Sequence, residues 1–198
     1  MLFFLRADIN MGVIGGYSRH GLKTHASSEE KFKDVADFTN GGYVRGFFNY
    51  EFNWINNLNI KVEAFGGTLL KDFTKDGKNV VSPSFLGGVI VKGELDFEEG
   101  RALYAFIGLQ ALSVQIHDFK AADGTDFKFP YGLLDTFFPT PVVGFGASLY
   151  VGKNTSLLVE ISHSGAILSQ TITTDQHHRV HFNNLRIGVG FSVRVHED

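Results

Sequence analysis

The stretch from Leu185 to Val195 reads Leu-Arg-Ile-Gly-Val-Gly-Phe-Ser-Val-Arg-Val. Leu185, Ile187, Val189, Phe191, Val193 and Val195 take every second position, and Arg186, Gly188, Gly190, Ser192 and Arg194 take the positions between. A β-strand points successive side chains to opposite faces, so this segment has one continuous apolar face and one face of glycine, serine and charge. A helix cannot sort a period of two in this way. A strand of this kind needs an oily environment on one side and a polar one on the other.

The same alternation recurs in seven earlier segments: 3–14, 42–53, 58–67, 85–97, 102–114, 141–151 and 156–164. In the third, Leu58, Ile60, Val62 and Ala64 oppose Asn59, Lys61 and Glu63; in the fourth, Val89, Val91, Leu95 and Phe97 oppose Lys92, Glu94 and Asp96. In the fifth, Leu103, Ala105, Ile107 and Leu109 form the apolar face, and the pattern shifts near Ala111–Leu112, which predicts a bulge. Phe47 breaks the alternation of the second. Short turns at 54–57, 98–100 and 152–154 alternate with long connections at about 18–41, 70–84, 117–140 and 165–184. All long loops therefore lie at one end, with both termini at the other. Within the first long loop, Ser27-Ser28-Glu29-Glu30 is a capping-box pattern for a turn or two of helix.

The chain has 198 residues, enough for one domain, taken as 1–198. It holds 23 glycines, 20 phenylalanines and no cysteine, so neither a disulfide framework nor thiolate chemistry is available. The net charge of −3 gives no case for nucleic-acid binding. No apolar run reaches the roughly 18 residues of a membrane helix, which says nothing against a barrel, because barrel strands alternate. Met1-Leu2-Phe3-Phe4-Leu5-Arg6 lacks the charged start, apolar core and cleavage site of a signal peptide; a mature-length chain with a start Met is expected.

Alternation alone leaves the inside face open. A soluble lipocalin-like barrel would turn its apolar face inward; an outer-membrane barrel turns it to lipid. The polar face carries Gly12, Gly88, Gly144, Gly146, Gly188 and Gly190, small enough for the tight lumen of eight strands. Its charges balance: six bases (Arg6, Arg45, Lys61, Lys92, Arg186, Arg194) face six acids (Asp8, Glu51, Glu63, Glu94, Asp96, Glu160). Such a set can pair when buried. Phe3, Phe52, Trp54, Phe97, Tyr104 and Tyr150 collect near the short-turn end and suggest an interfacial girdle. The expected fold is an all-β, eight-stranded antiparallel up-and-down transmembrane barrel with short periplasmic turns and four long extracellular loops.

The eight strands, three tight turns and four long connections resemble the OmpA/OmpX and opacity-protein class of small bacterial outer-membrane barrels. Leu-Val-Glu-Ile-Ser at 158–162, followed by the polar connection and the closing strand, is similar to the last hairpin of opacity-type surface antigens. The resemblance implies an integral, monomeric outer-membrane protein in contact with membrane lipid and lipopolysaccharide. It further implies loops that meet a host-cell or other extracellular protein.

The lumen charges read as a packed salt-bridge network rather than a channel. Barrels of the wider class include lipid A-modifying enzymes, which directs attention to Glu160, His163 and Ser164. However, adjacent His163 and Ser164 would point to opposite faces, and Gly165 stands where a serine two positions after the histidine would be needed. His177, His178 and His181 near Asp175 offer a faint metal pattern, with Arg179 among them to repel a cation. No catalytic, cofactor or metal set is assigned. The apolar third connection, with Phe127, Phe129, Tyr131, Leu133, Leu134, Phe137 and Phe138, is the partner-binding candidate. The leading reading is an adhesin or surface antigen. The alternatives are a structural barrel without a specific ligand and a lipid-modifying enzyme.

Overall fold

The computed structural model describes residues 7–25, 33–55, 57–75, 78–97, 100–116, 137–173 and 176–196. It contains nine strands: β1 (Ala7–His25), β2 (Lys33–Ile55), β3 (Leu58–Leu69), β4 (Phe73–Lys75), β5 (Lys78–Phe97), β6 (Arg101–Ile116), β7 (Phe137–Tyr150), β8 (Thr155–Thr173) and β9 (Gln176–His196). Around the sheet the order is β3-β2-β1-β9-β8-β7-β6-β5, and β3 pairs with β5 to close it. Every pairing is antiparallel, so eight strands form an up-and-down barrel without an open edge. The ninth strand, β4, is three residues folded back on the start of β5 outside the barrel ring. No helix occurs among the described residues.

The faces sort as the alternation requires. Val189, Leu109, Ile107 and Phe145 are each more than 60 % exposed, and Met11, Phe48, Val62, Leu95, Leu103, Leu149 and Val159 are exposed around the rest of the circumference. On β9 this outward belt runs from Leu185 to Val195. That span is about the 9–11 residues a tilted strand needs to cross a bilayer. The charged and small residues lie inside: Arg45, Glu63, Lys92, Glu160 and Arg186 are all buried.

The lumen also holds aromatic rings that the alternation alone does not reveal. Phe47, Phe65, Tyr104 and Phe106 are buried within it. Across the ladder Phe47 faces Gly12, Tyr104 faces Gly146 and Phe106 faces Gly144. A Cβ added to any of these glycines would overlap the facing ring. The glycines are therefore sockets for aromatics, which is why Phe47 breaks the expected pattern. Tyr104 and Tyr150 accordingly leave the proposed interfacial girdle: Tyr104 is buried in the lumen, and the Tyr150 hydroxyl donates to Glu94 Oε1 at 3.3 Å. Phe52 is half-buried and Phe97 exposed. Phe3 and the Trp54 side chain lie outside the described residues.

Two further expectations change. β6 keeps its register through Ala111 and Leu112 against both neighbours, and the irregularity lies across the ladder in β5, between Pro83 and Phe85. Leu112 turns inward, to the face where Leu86 and Val142 are also buried, and this breaks the pattern without a bulge. The long connections also shrink. β1 and β2 continue to His25 and from Lys33, and β8 and β9 are separated only by residues 174–175. These four strands have 19, 23, 19 and 21 residues, about twice what the bilayer requires. Beyond the membrane both faces of a hairpin meet water, so the oily-polar alternation ends while the ladder continues. The segment Ser27–Glu30 lies outside the described residues. At the other end, Asn57 (φ 68°) and Gly100 (φ 71°) take the left-handed conformation that tight turns need.

Candidate functional site

The lumen is built in strata. At its centre Arg45 Nη1 donates to Glu63 Oε1 at 2.7 Å, and Arg45 Nη2 lies 2.8 Å from both oxygens of Glu160. Lys92 Nζ stands 2.7 Å from Glu63 Oε2 and 3.6 Å from Glu160 Oε2. The Lys92–Glu63 contact is an ion pair without hydrogen-bond alignment at the oxygen. Two cations and two carboxylates, from β2, β3, β5 and β8, thus tie four strands across the axis. The aromatics flank them: the Arg45 guanidinium sits 4.8 Å from the Phe65 ring centre, and Lys92 Nζ sits 4.9 Å from that of Tyr104.

Toward the short turns, Lys61 Nζ bridges Glu94 at 2.6 Å and Glu51 at 3.2 Å, and Asn10 donates to Glu51 at 3.1 Å. Asn59 donates to Asp96 at 2.7 Å, and Arg194 pairs with Asp8 at 3.4 Å. Toward the long connections the chemistry changes. Arg186 donates through Nη2 to Gln110 Oε1 at 2.8 Å, and Gln110 Nε2 donates to Ser164 Oγ at 2.7 Å. Ser18 Oγ donates to Asn184 Oδ1 at 3.1 Å and lies 3.2 Å from His20 Nδ1. Of the twelve lumen charges anticipated from the sequence, Arg6 alone lies outside the described residues. Arg186 stands apart from the carboxylates that hold the rest.

Ser164 is buried inside, while His163 is exposed outside and bonds to Asn183 Oδ1 at 2.8 Å. The barrel wall separates them, so they form no nucleophile–base pair. Glu160 is committed to Arg45. His177, His178 and His181 fall on β9. Their side chains lie outside the described residues. Among the described residues no cluster of three or more metal-ligating side chains occurs.

Phe127, Phe129, Tyr131, Leu133 and Leu134 lie outside the described residues. Phe137 and Phe138 belong to β7, paired with Ser113 and Leu112, so the third connection is shorter than the sequence suggests. The aromatic–glycine sockets are the feature the sequence reading missed. Their signal was an aromatic and a glycine at facing lumen positions of neighbouring strands.

A closed antiparallel ring, an apolar outer belt of bilayer height and a polar filled lumen define a transmembrane β-barrel of the bacterial outer-membrane class. The chain is a small eight-stranded member of that class of fold. No protein-family model and no curated protein sequence matches it. Among solved structures it is similar to the outer membrane protein OprG of Pseudomonas aeruginosa, with 10 % identity and a TM-score of 0.50 over 94 % of this chain and 96 % of that one. Neisserial surface protein A is similar at 12 % identity and a TM-score of 0.48, covering 93 % and 97 %. The attachment invasion locus protein Ail of Yersinia pestis is similar at 14 % identity and 0.45, covering 95 % and 98 %.

Proposed function

We propose that the chain is a non-conducting, monomeric barrel that raises β-hairpins above the outer membrane to bind an external protein, as an adhesin or surface antigen. The observation that carries this reading is the length of β1, β2, β8 and β9, about twice the bilayer requirement. Paired strands are more rigid than open loops, which lowers the ordering cost of binding. The filled lumen argues against solute passage. Lipid and lipopolysaccharide surround the belt, and no cofactor takes part.

The test displays the barrel on a bacterium that lacks it and measures adhesion to host cells and to immobilised extracellular matrix proteins. One variant joins Leu168 to Val180, which already face each other, and so shortens the β8–β9 hairpin; another replaces 118–135 with a flexible linker. Heat-modifiable gel mobility checks folding. Adhesion conferred by the intact barrel and lost in either folded variant supports the reading. Failure of the intact barrel to confer adhesion, or unchanged adhesion in both variants, rules it out.

A purely structural role is favoured by the ionic cross-links of the lumen. It predicts that a strain without the barrel becomes detergent-sensitive, and that the hairpin-shortened variant restores resistance.

A further inference from the structure

Arg186 is 2 % exposed, and its Nε and Nη1 have no hydrogen-bond partner among the described residues. Among the described residues its hydrogen bond runs to Gln110 Oε1, a neutral oxygen. Gln110 is held in that orientation by donating to Ser164. The lumen cations Arg45, Lys61 and Lys92 each lie within 3.2 Å of a carboxylate. Glu160, the acid of the stratum below Arg186, is gripped through both oxygens by Arg45.

Two further orphans bracket Arg186. Tyr43 reaches over Gly16 of β1 so that its hydroxyl overlies Gly188, two residues along β9, and its ring centre is 5.7 Å from the Arg186 guanidinium carbon. The Tyr43 hydroxyl has no hydrogen-bond partner among the described residues. Two residues the other way, Asn184 spends its oxygen on Ser18 and leaves Nδ2 unpartnered. All the orphaned atoms on Arg186, Tyr43 and Asn184 are N–H or O–H groups, on one lumen face. Leaving a buried donor unmatched is costly, and more so when it is charged. Arg186 and Tyr43, side by side with unmatched donors and no acceptor, ask for a negative ligand rather than a cation.

We propose that Arg186 and Tyr43 form an anion site in the outer half of the lumen, taking a small carboxylate from the extracellular side. The guanidinium supplies the charge, while the phenol supplies a directed hydrogen bond beside it. The site is independent of the partner-binding reading and would stand if that reading fell.

The test uses the whole 15N-labelled barrel in detergent micelles and follows the Arg186 Nε–Hε resonance, assigned with Arg186→Gln. Sodium formate is titrated against sodium perchlorate at equal ionic strength, with a parallel sample refolded in formate to allow for slow entry. The expected result is a saturable shift with formate alone. Tyr43→Phe, which keeps the ring and removes one donor, should weaken formate binding by about tenfold, the worth of one hydrogen bond to a charged group. A shift linear in ionic strength and equal for perchlorate overturns the proposal, as does no shift at all. Unchanged formate affinity in Tyr43→Phe overturns it too, and that variant keeps the test open should Arg186→Gln fail to fold.

Discussion

Replacing Glu63 by glutamine is the sharpest probe of the lumen network. Glu63 is fully buried and touches two cations, Arg45 at 2.7 Å and Lys92 at 2.7 Å. Glutamine keeps its shape and removes one negative charge. Arg45 and Lys92 would then share Glu160 alone, which leaves one uncompensated positive charge inside a ring of aromatics. Removing one partner of a buried ion pair costs about 3–5 kcal/mol, because the remaining charge has been desolvated without recompense. Coupled removal should reverse this. In Glu63→Gln with Lys92→Met, Arg45 keeps its two 2.8 Å contacts to Glu160 and the cluster is neutral again. The assay is reversible urea unfolding of the barrel in lipid vesicles, followed by tryptophan fluorescence and gel mobility. A loss of 3–5 kcal/mol in the single variant, mostly recovered in the double, is expected. A single-variant loss under about 0.5 kcal/mol, the range of an unremarkable surface change, would refute the reasoning and mean that the lumen charges are solvated.

The same assay reads two other features. Gly144→Ala should cost about 1–3 kcal/mol, as overpacking does, because its Cβ would overlap the Phe106 ring and crowd the Ile161 carbonyl. Gly93→Ala meets nothing within 4 Å and should stay within about 0.5 kcal/mol. On the lipid face, Val189→Arg in the middle of the belt should cost about 2–4 kcal/mol, and Val195→Arg, nearer the interface, about 0–1 kcal/mol. Equal costs at the two positions would place the bilayer elsewhere.

The outward belt was legible because it is simple: lipid accepts only apolar side chains, so every second residue from Leu185 to Val195 obeys one rule. The inner face obeys a rule that needs register. Phe47 looks like an error until Gly12 is known to stand opposite, and Tyr104 looks like a girdle residue until Gly146 does. Strand ends above the membrane were illegible for another reason. From His163 to Thr173 the chain no longer separates oil from water, although its backbone stays paired with β9. The anion site was hidden by counting: six bases against six acids suggests balance, but pairing depends on height along the axis. Arg186 stands at a level where no described carboxylate reaches it.

Why a lumen so small holds charges at all is a question of specificity more than stability. The outside of the barrel is apolar, so an apolar lumen would make the two faces of each strand nearly equivalent. A slip of one residue would then exchange them at little cost, because the side-chain period is two. Arg45, Glu63, Lys92 and Glu160 forbid that exchange, since a slipped strand would carry an ion into acyl chains. Replacing all four together (Arg45→Met, Glu63→Leu, Lys92→Met, Glu160→Leu) should therefore separate the two quantities. Stability of the folded fraction should be unchanged or raised by about 1–4 kcal/mol, as when a buried ion cluster gives way to packed apolar groups. The yield of heat-modifiable barrel on refolding into vesicles should fall. Cysteine cross-links placed at facing positions of β7 and β8, which keep no lumen charge among the described residues once Glu160 is replaced, should report more than one register. A quadruple variant that refolds in full yield, with cross-links only in the native register, would show that the turns and aromatic sockets set the register alone and the charges do not.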